Sequence, residues 1–129
     1  MRGSRRLNSH ELATIKEVYR AMQEDGLRRG GEYLADHVRE DAAIRLYTTG
    51  SRVLHGRGEV RAFFADAESA GTSVILRPRE FEVAGEEVTV TGSVRVERGE
   101  GGFAETQVLW TWRFRGGLIE EACWEPRAG

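Results

Sequence analysis

The chain has 129 residues, is 40% apolar and carries a formal charge of −2. That length suits one domain with a real core, and the near-neutral, dispersed charge excludes a nucleic-acid role driven by phosphate neutralisation. The lone cysteine, Cys123, rules out an intrachain disulfide and fits a reducing cytoplasm; no run approaches the roughly 18 apolar residues of a membrane span.

Residues 1–6 are charged and lead into no apolar signal core, so they are expected as a disordered leader, not an export signal. One domain is expected over 7–126, with 127–129 as a tail. Asn8 and Glu11 have capping-box spacing, and Leu7 and Leu12 occupy the two positions of a hydrophobic staple, so a first helix is expected from there. Leu12, Ile15, Val18, Tyr19 and Met22 recur on one helical face. Gly26 is a left-handed stop, with Leu27 placed to fold back. A short second helix is expected over 31–38 and a strand over 41–47. Gly50 breaks that strand, and 52–54 returns beside it. A third helix opens at Gly56-Arg-Gly58, places Val60, Phe63, Phe64 and Ala67 on one side, and ends at Ala70-Gly71. The Gly56-Arg-Gly58 pattern is not a phosphate loop, because the Lys-Ser/Thr pair is missing.

Four strands of a meander follow, over 74–83, 88–96, 103–114 and 118–124. Turns at Gly85, at 99–102 and at Gly116-Gly117 separate them. Pro78 lacks a donor, so it marks an edge strand or a bulge. Alternation in the third strand puts Val108, Trp110, Trp112 and Phe114 on one face. In the last strand Ile119, Glu121 and Cys123 share one face, and Leu118, Glu120, Ala122 and Trp124 the other. A one-residue slip would exchange these two sets.

The segments VYRAMQEDG at 18–26, DAAI at 41–44, GRGEVRAFF at 56–64 and WRFRGGLI at 112–119, in this order, resemble the nuclear transport factor 2-like superfamily. Within it the chain is most similar to the SnoaL-like and ketosteroid-isomerase-like branch, over nearly its whole length. The resemblance implies an α+β roll, cystatin-like in class: a cone-shaped, curled antiparallel sheet wrapped around a long N-terminal helix, with ligands entering the open end. It also implies a homodimer through the convex sheet face, where Leu109 and Trp124 are expected to point outward.

Carried over residue by residue, the resemblance puts Tyr19 at the oxyanion-stabilising tyrosine. It puts Leu46 at the general-base aspartate and Trp110 at the protonated acid. Two of the three catalytic groups are therefore replaced, and classical ketosteroid isomerase activity is not expected. The arginine flanked by aspartates of the epoxide hydrolase branch is not evident either.

Three residues remain as catalytic candidates. Tyr19 is either a pocket donor to a substrate oxygen or a core tyrosine with an internal partner. His55, placed near the pocket mouth by the resemblance, is either a base suited to neutral pH or a solvated turn residue. Glu121, turned inward by the resemblance, is either an acid or base with a raised pKa or a surface carboxylate. His10 is expected to be exposed, and His37 to end the second helix. Ile15, Leu46, Phe63, Phe64, Val108, Trp110, Trp112 and Cys123 are expected to line the pocket, though the tryptophans could equally be core. The histidines lack metal-ligand spacing, so no metal and no cofactor is expected.

Two functions stay open. One is a cofactor-free isomerase, cyclase or dehydratase acting on a hydrophobic molecule, polycyclic ones included. The other is a noncatalytic small-ligand-binding or accessory dimer of the same fold. Neither involves nucleic acid or membrane.

Overall fold

The computed structural model describes residues 2–47, 51–97 and 103–127. Helix α1 (Arg2–Glu24) buries Ile15, Val18, Tyr19 and Met22, the apolar face expected from their spacing. Its polar side carries Arg20, which pairs with Glu17, Glu24 and Asp25. The helix begins at Arg2, so Asn8 lies inside it and is not its cap.

Gly26, at φ 100°, turns the chain into α2 (Leu27–Asp36). This helix starts four residues earlier than expected and contains the Gly30-Gly31 pair. Glycine is a poor helix former, which is why the sequence points to a later start. Packing overrides that preference. A Cβ at Gly30 would sit 2.8 Å from the Met22 Cα of α1, and one at Gly31 would collide with Phe64 of α3. The two glycines therefore let three helices approach closely. Helix α3 (Gly56–Ser69) buries Val60 and Phe64, with Phe63 and Ala67 half-buried beside them. The backbone N–H of His55 donates to Glu59 Oε1 at 2.8 Å, which anchors the start of α3.

Six strands form one open sheet in the order β2-β1-β6-β5-β4-β3. They are β1 (Val38–Leu46), β2 (Arg52–His55), β3 (Ser73–Ala84), β4 (Glu87–Glu97), β5 (Phe103–Arg115) and β6 (Leu118–Pro126). All pairings are antiparallel except β1 with β6, which is parallel. The sheet is therefore mixed. The expected break at Gly50 and the turn at 99–102 lie outside the described residues.

Pro78 sits on β3, an edge strand, and the register shifts between Pro78 and Glu80, so both alternatives raised for it hold. The free edge of β3 is partly covered from within. The Gln23 side-chain amide donates to Leu76 O at 2.7 Å and accepts from Leu76 N at 3.1 Å. That tie joins α1 to β3 and occupies ladder groups that an exposed edge would offer to another strand.

The core lies between the helices and the concave face of the sheet. Val108, Trp110, Trp112 and Phe114 of β5 are fully buried there, as the alternation of that strand requires. In β6 the alternation breaks. Arg113 pairs with Glu121 but Phe114 pairs with Ile119, so Glu120 is an extra, bulged residue. Ile119 points inward, Glu120 and Glu121 are both left off the core face, and Ala122 and Trp124 return to it.

Candidate functional site

A cavity of about 250 Å³ opens between the helices and one end of the sheet. Met22 and Leu27 reach it from the α1–α2 junction, and Phe63, Phe64 and Ala67 from α3. Leu46, Val74, Val94, Val96 and Trp124 contribute from the sheet, and Thr72 from the turn before β3. Among the described residues Thr72 supplies the only hydroxyl on this wall, and no ionisable side chain lines it. The exposed Arg52 places its guanidinium 5.2 Å from the Phe63 ring centroid but is not part of the wall.

Behind the cavity stands an aromatic cluster. Trp110 pairs directly across the ladder with Trp124, at 6.4 Å between ring centroids. Tyr19, three residues before the cavity-lining Met22, packs edge-on against Trp110 and Trp112 at 5.1 and 6.2 Å. Trp112 Nε1–H donates to the Tyr19 hydroxyl oxygen at 3.2 Å. Burial pushes the Tyr19 phenol well above its ordinary pKa, and the hydrogen bond from Trp112 offsets only part of this. Tyr19 is thus a protonated, buried phenol outside the cavity wall. The indole N–H groups of Trp110 and Trp124 are buried and have no partner among the described residues.

The three catalytic candidates are not brought together. His55 is exposed, and it pairs with Ala43 at the β2 edge of the sheet. Glu121, expected to face the cavity, lies on the convex side between Arg45 at 3.3 Å and Arg113 at 3.2 Å. The bulge at Glu120 is the reason, because it inverts the alternation of every residue after it relative to Ile119. Cys123, expected as a lining residue, is on the convex side for the same reason. Its thiol donates to Glu125 Oε2 at 3.7 Å. Burial, and then the charge of Glu125, raise its pKa, so it is not an activated nucleophile.

Of the expected lining, Leu46, Phe63 and Phe64 are on the wall, whereas Ile15, Val108, Trp110 and Trp112 are filled core. His10 is exposed, and His37 caps the end of α2, where its Nδ1 lies 2.7 Å from Tyr33 O. Among the described residues no group of His, Cys, Asp and Glu is placed to hold a metal ion, and no helix is long and apolar enough to cross a membrane.

No protein-family model matches the sequence, nor does any curated protein. Solved structures do match. A nuclear transport factor 2-like protein of unknown function from Burkholderia pseudomallei is 25% identical, with 92% of this chain and 91% of that one covered at a TM-score of 0.73. The chain has the nuclear transport factor 2-like fold. TerC, crystallised with polyporic acid, shares that fold at 20% identity, with 92% of both chains covered and a TM-score of 0.74. An epoxide hydrolase of the LEH-like type from M. tuberculosis shares it at 9% identity, with 93% and 84% covered and a TM-score of 0.78. Ketosteroid isomerase-like and SnoaL-like proteins are also among the structural neighbours. At such identities they speak for the fold and not for an activity.

Within this fold, sequence reasoning missed Met22, Leu27, Ala67, Thr72, Val74, Val94, Val96 and Trp124 as wall residues. The alternation of β4 carried a signal for Val94 and Val96, which share a face with Val88 and Val90. Trp124 was expected on the convex face and is instead 6% exposed on the concave one. The convex face expected to pair two copies keeps Leu109, half-buried between Thr91 and Glu125 in the ladder, and also carries the Arg45, Arg113 and Glu121 cluster.

Proposed function

We propose that this chain is a ligand-holding domain that binds one small, neutral, apolar molecule in the 250 Å³ cavity. The observation that carries this reading is the composition of the wall: among the described residues, ten apolar side chains, one hydroxyl and no ionisable group. An apolar cavity with few polar groups is the usual form of a small-molecule site. A charged ligand would lose its hydration there without gaining a partner.

The volume sets the size. An apolar cavity of roughly 150 Å³ takes up one benzene molecule, so 250 Å³ suits one fused bicyclic skeleton and not a four-ring steroid. Cofactor-free isomerase, cyclase or dehydratase chemistry needs a proton acceptor within hydrogen-bond reach of the ligand. Tyr19, His55 and Glu121 all lie off the wall, which favours holding over turnover.

The test is a titration with tetralin, a neutral bicyclic hydrocarbon, followed by methyl NMR. Saturable shifts at Leu46, Val74, Val94 and Val96, with those of Val108 smaller, are expected. Shifts scattered over the surface, or none at ligand saturation, would sink the reading.

A further inference from the structure

The mouth of the cavity has a cation beside it. Leu46 and Phe64 are buried deep in the wall, whereas Phe63, Ala67, Thr72, Val74 and Val96 are only half-buried. That second set marks where the cavity meets water. Arg52 reaches this rim by two independent observations. In the β1–β2 ladder it lies directly opposite Leu46, and residues so paired put their side chains on the same face of a sheet. Leu46 is on the wall, so Arg52 projects from the cavity side, one strand further out. Its guanidinium then lies 5.2 Å from the ring centroid of Phe63, a rim residue. Stacking on a ring engages the charge of a guanidinium and leaves its N–H groups free. Among the described residues those donors meet no carboxylate and no other acceptor. Arg45, Arg61 and Arg113 each hold a carboxylate instead. Arg52 is therefore an exposed, unpaired donor at the edge of an apolar cavity.

We propose that the ligand carries a carbonyl oxygen on the end that faces the mouth, and that the Arg52 guanidinium donates to it. The proposal rests on the ligand-holding reading and narrows it to neutral bicyclic ketones, esters and lactones. The apolar frame fills the cavity, while the oxygen stays at the water boundary and is not buried without a partner. A guanidinium only donates, so a ligand whose one polar group is an N–H gains nothing from it. Arg52 thus acts on specificity, by selecting an acceptor and fixing which end of the frame points outward.

The experiment compares 1-tetralone with tetralin, which differ by one carbonyl on the same skeleton. Dissociation constants are measured on the wild-type protein and on Arg52→Met, which keeps an apolar stem over Phe63 and removes the donors. The expected result is that Arg52→Met raises the ratio of the tetralone to the tetralin dissociation constant about two- to fivefold, the range of a solvent-exposed charged contact. On the wild-type protein labelled with ¹⁵N, tetralone moves the Arg52 Nε–H proton and tetralin does not. This second readout decides alone if the variant fails to fold. If both compounds bind and either the ratio or the Arg52 proton stays unchanged, the Arg52 proposal is overturned while the cavity reading survives. A carbonyl held by Thr72 would give that result. If neither compound binds, both fall.

Discussion

Tyr19→Phe separates a core role from a chemical one. The substitution removes one oxygen and keeps the ring, so the edge-on contacts with Trp110 and Trp112 persist. What it removes is the acceptor for Trp112 Nε1–H, 3.2 Å away, in a place where Trp112 is fully buried and Tyr19 is 3% exposed. Water cannot replace the oxygen without a rearrangement of the core. The cost is then that of an unmatched buried donor, about 1–3 kcal/mol. For a 129-residue chain each kcal/mol lowers the melting temperature by roughly 3–5 °C. Urea unfolding should show a lower midpoint at unchanged slope. Tetralin affinity should stay within about twofold, because the hydroxyl is not on the wall. A variant as stable as the parent that has lost ligand binding would refute this reasoning and return Tyr19 to the site.

Glu11 is 5% exposed, with Oε1 unpartnered among the described residues. Burial raises its pKa above 4.5, the charge of Glu86 adds to this, and His10 opposes it. A raised carboxyl favours the fold fully below pH 4.5 and loses that contribution as pH rises through the folded value. Glu11→Gln should therefore stabilise the protein at pH 7.5 and make no difference at pH 4, as read by thermal melts; the opposite trend would count against burial as the cause. Gly30→Ala reverses the usual sign: alanine favours a helix interior by about 1 kcal/mol, but here its Cβ would sit 2.8 Å from Met22 Cα. A loss of about 1–3 kcal/mol by urea unfolding is expected from such overpacking, and a gain would contradict the close helix contact. Glu121→Gln and His55→Ala should each change stability by less than about 1 kcal/mol, since exposed ion pairs contribute little and the His55 N–H to Glu59 bond is backbone. Either variant losing tetralin binding in the methyl NMR titration would show that the convex face or the β2 edge communicates with the cavity.

Much of the fold was legible because its periodicities are unbroken. The α1 face, the four long strands and the inward row of β5 all follow from spacing. The start of α2 was not legible, because the glycines at 30 and 31 are there for close helix approach, which no local preference encodes. The face of β6 was misread for a related reason. Its bulge falls on Glu120, in a run without Gly or Pro to announce it, and one extra residue exchanged Glu121 and Cys123 for Ala122 and Trp124 on the inner side. The cavity depends on how α3 holds Phe63, Phe64 and Ala67 across an open space from Val74 of β3 and Val94 and Val96 of β4. Which elements face each other across that space is not encoded locally, so its position emerged only in three dimensions.

The most direct test of the account fills the cavity and asks whether binding is lost. Ala67 lies on the wall in α3 and is half-buried, so Ala67→Phe puts a ring into the open space at little cost to the helix. Isothermal titration with tetralin is expected to give one site per chain in the wild-type protein and no measurable heat of binding in Ala67→Phe, with the variant still folded by circular dichroism. Undiminished one-to-one binding by that folded variant would contradict it.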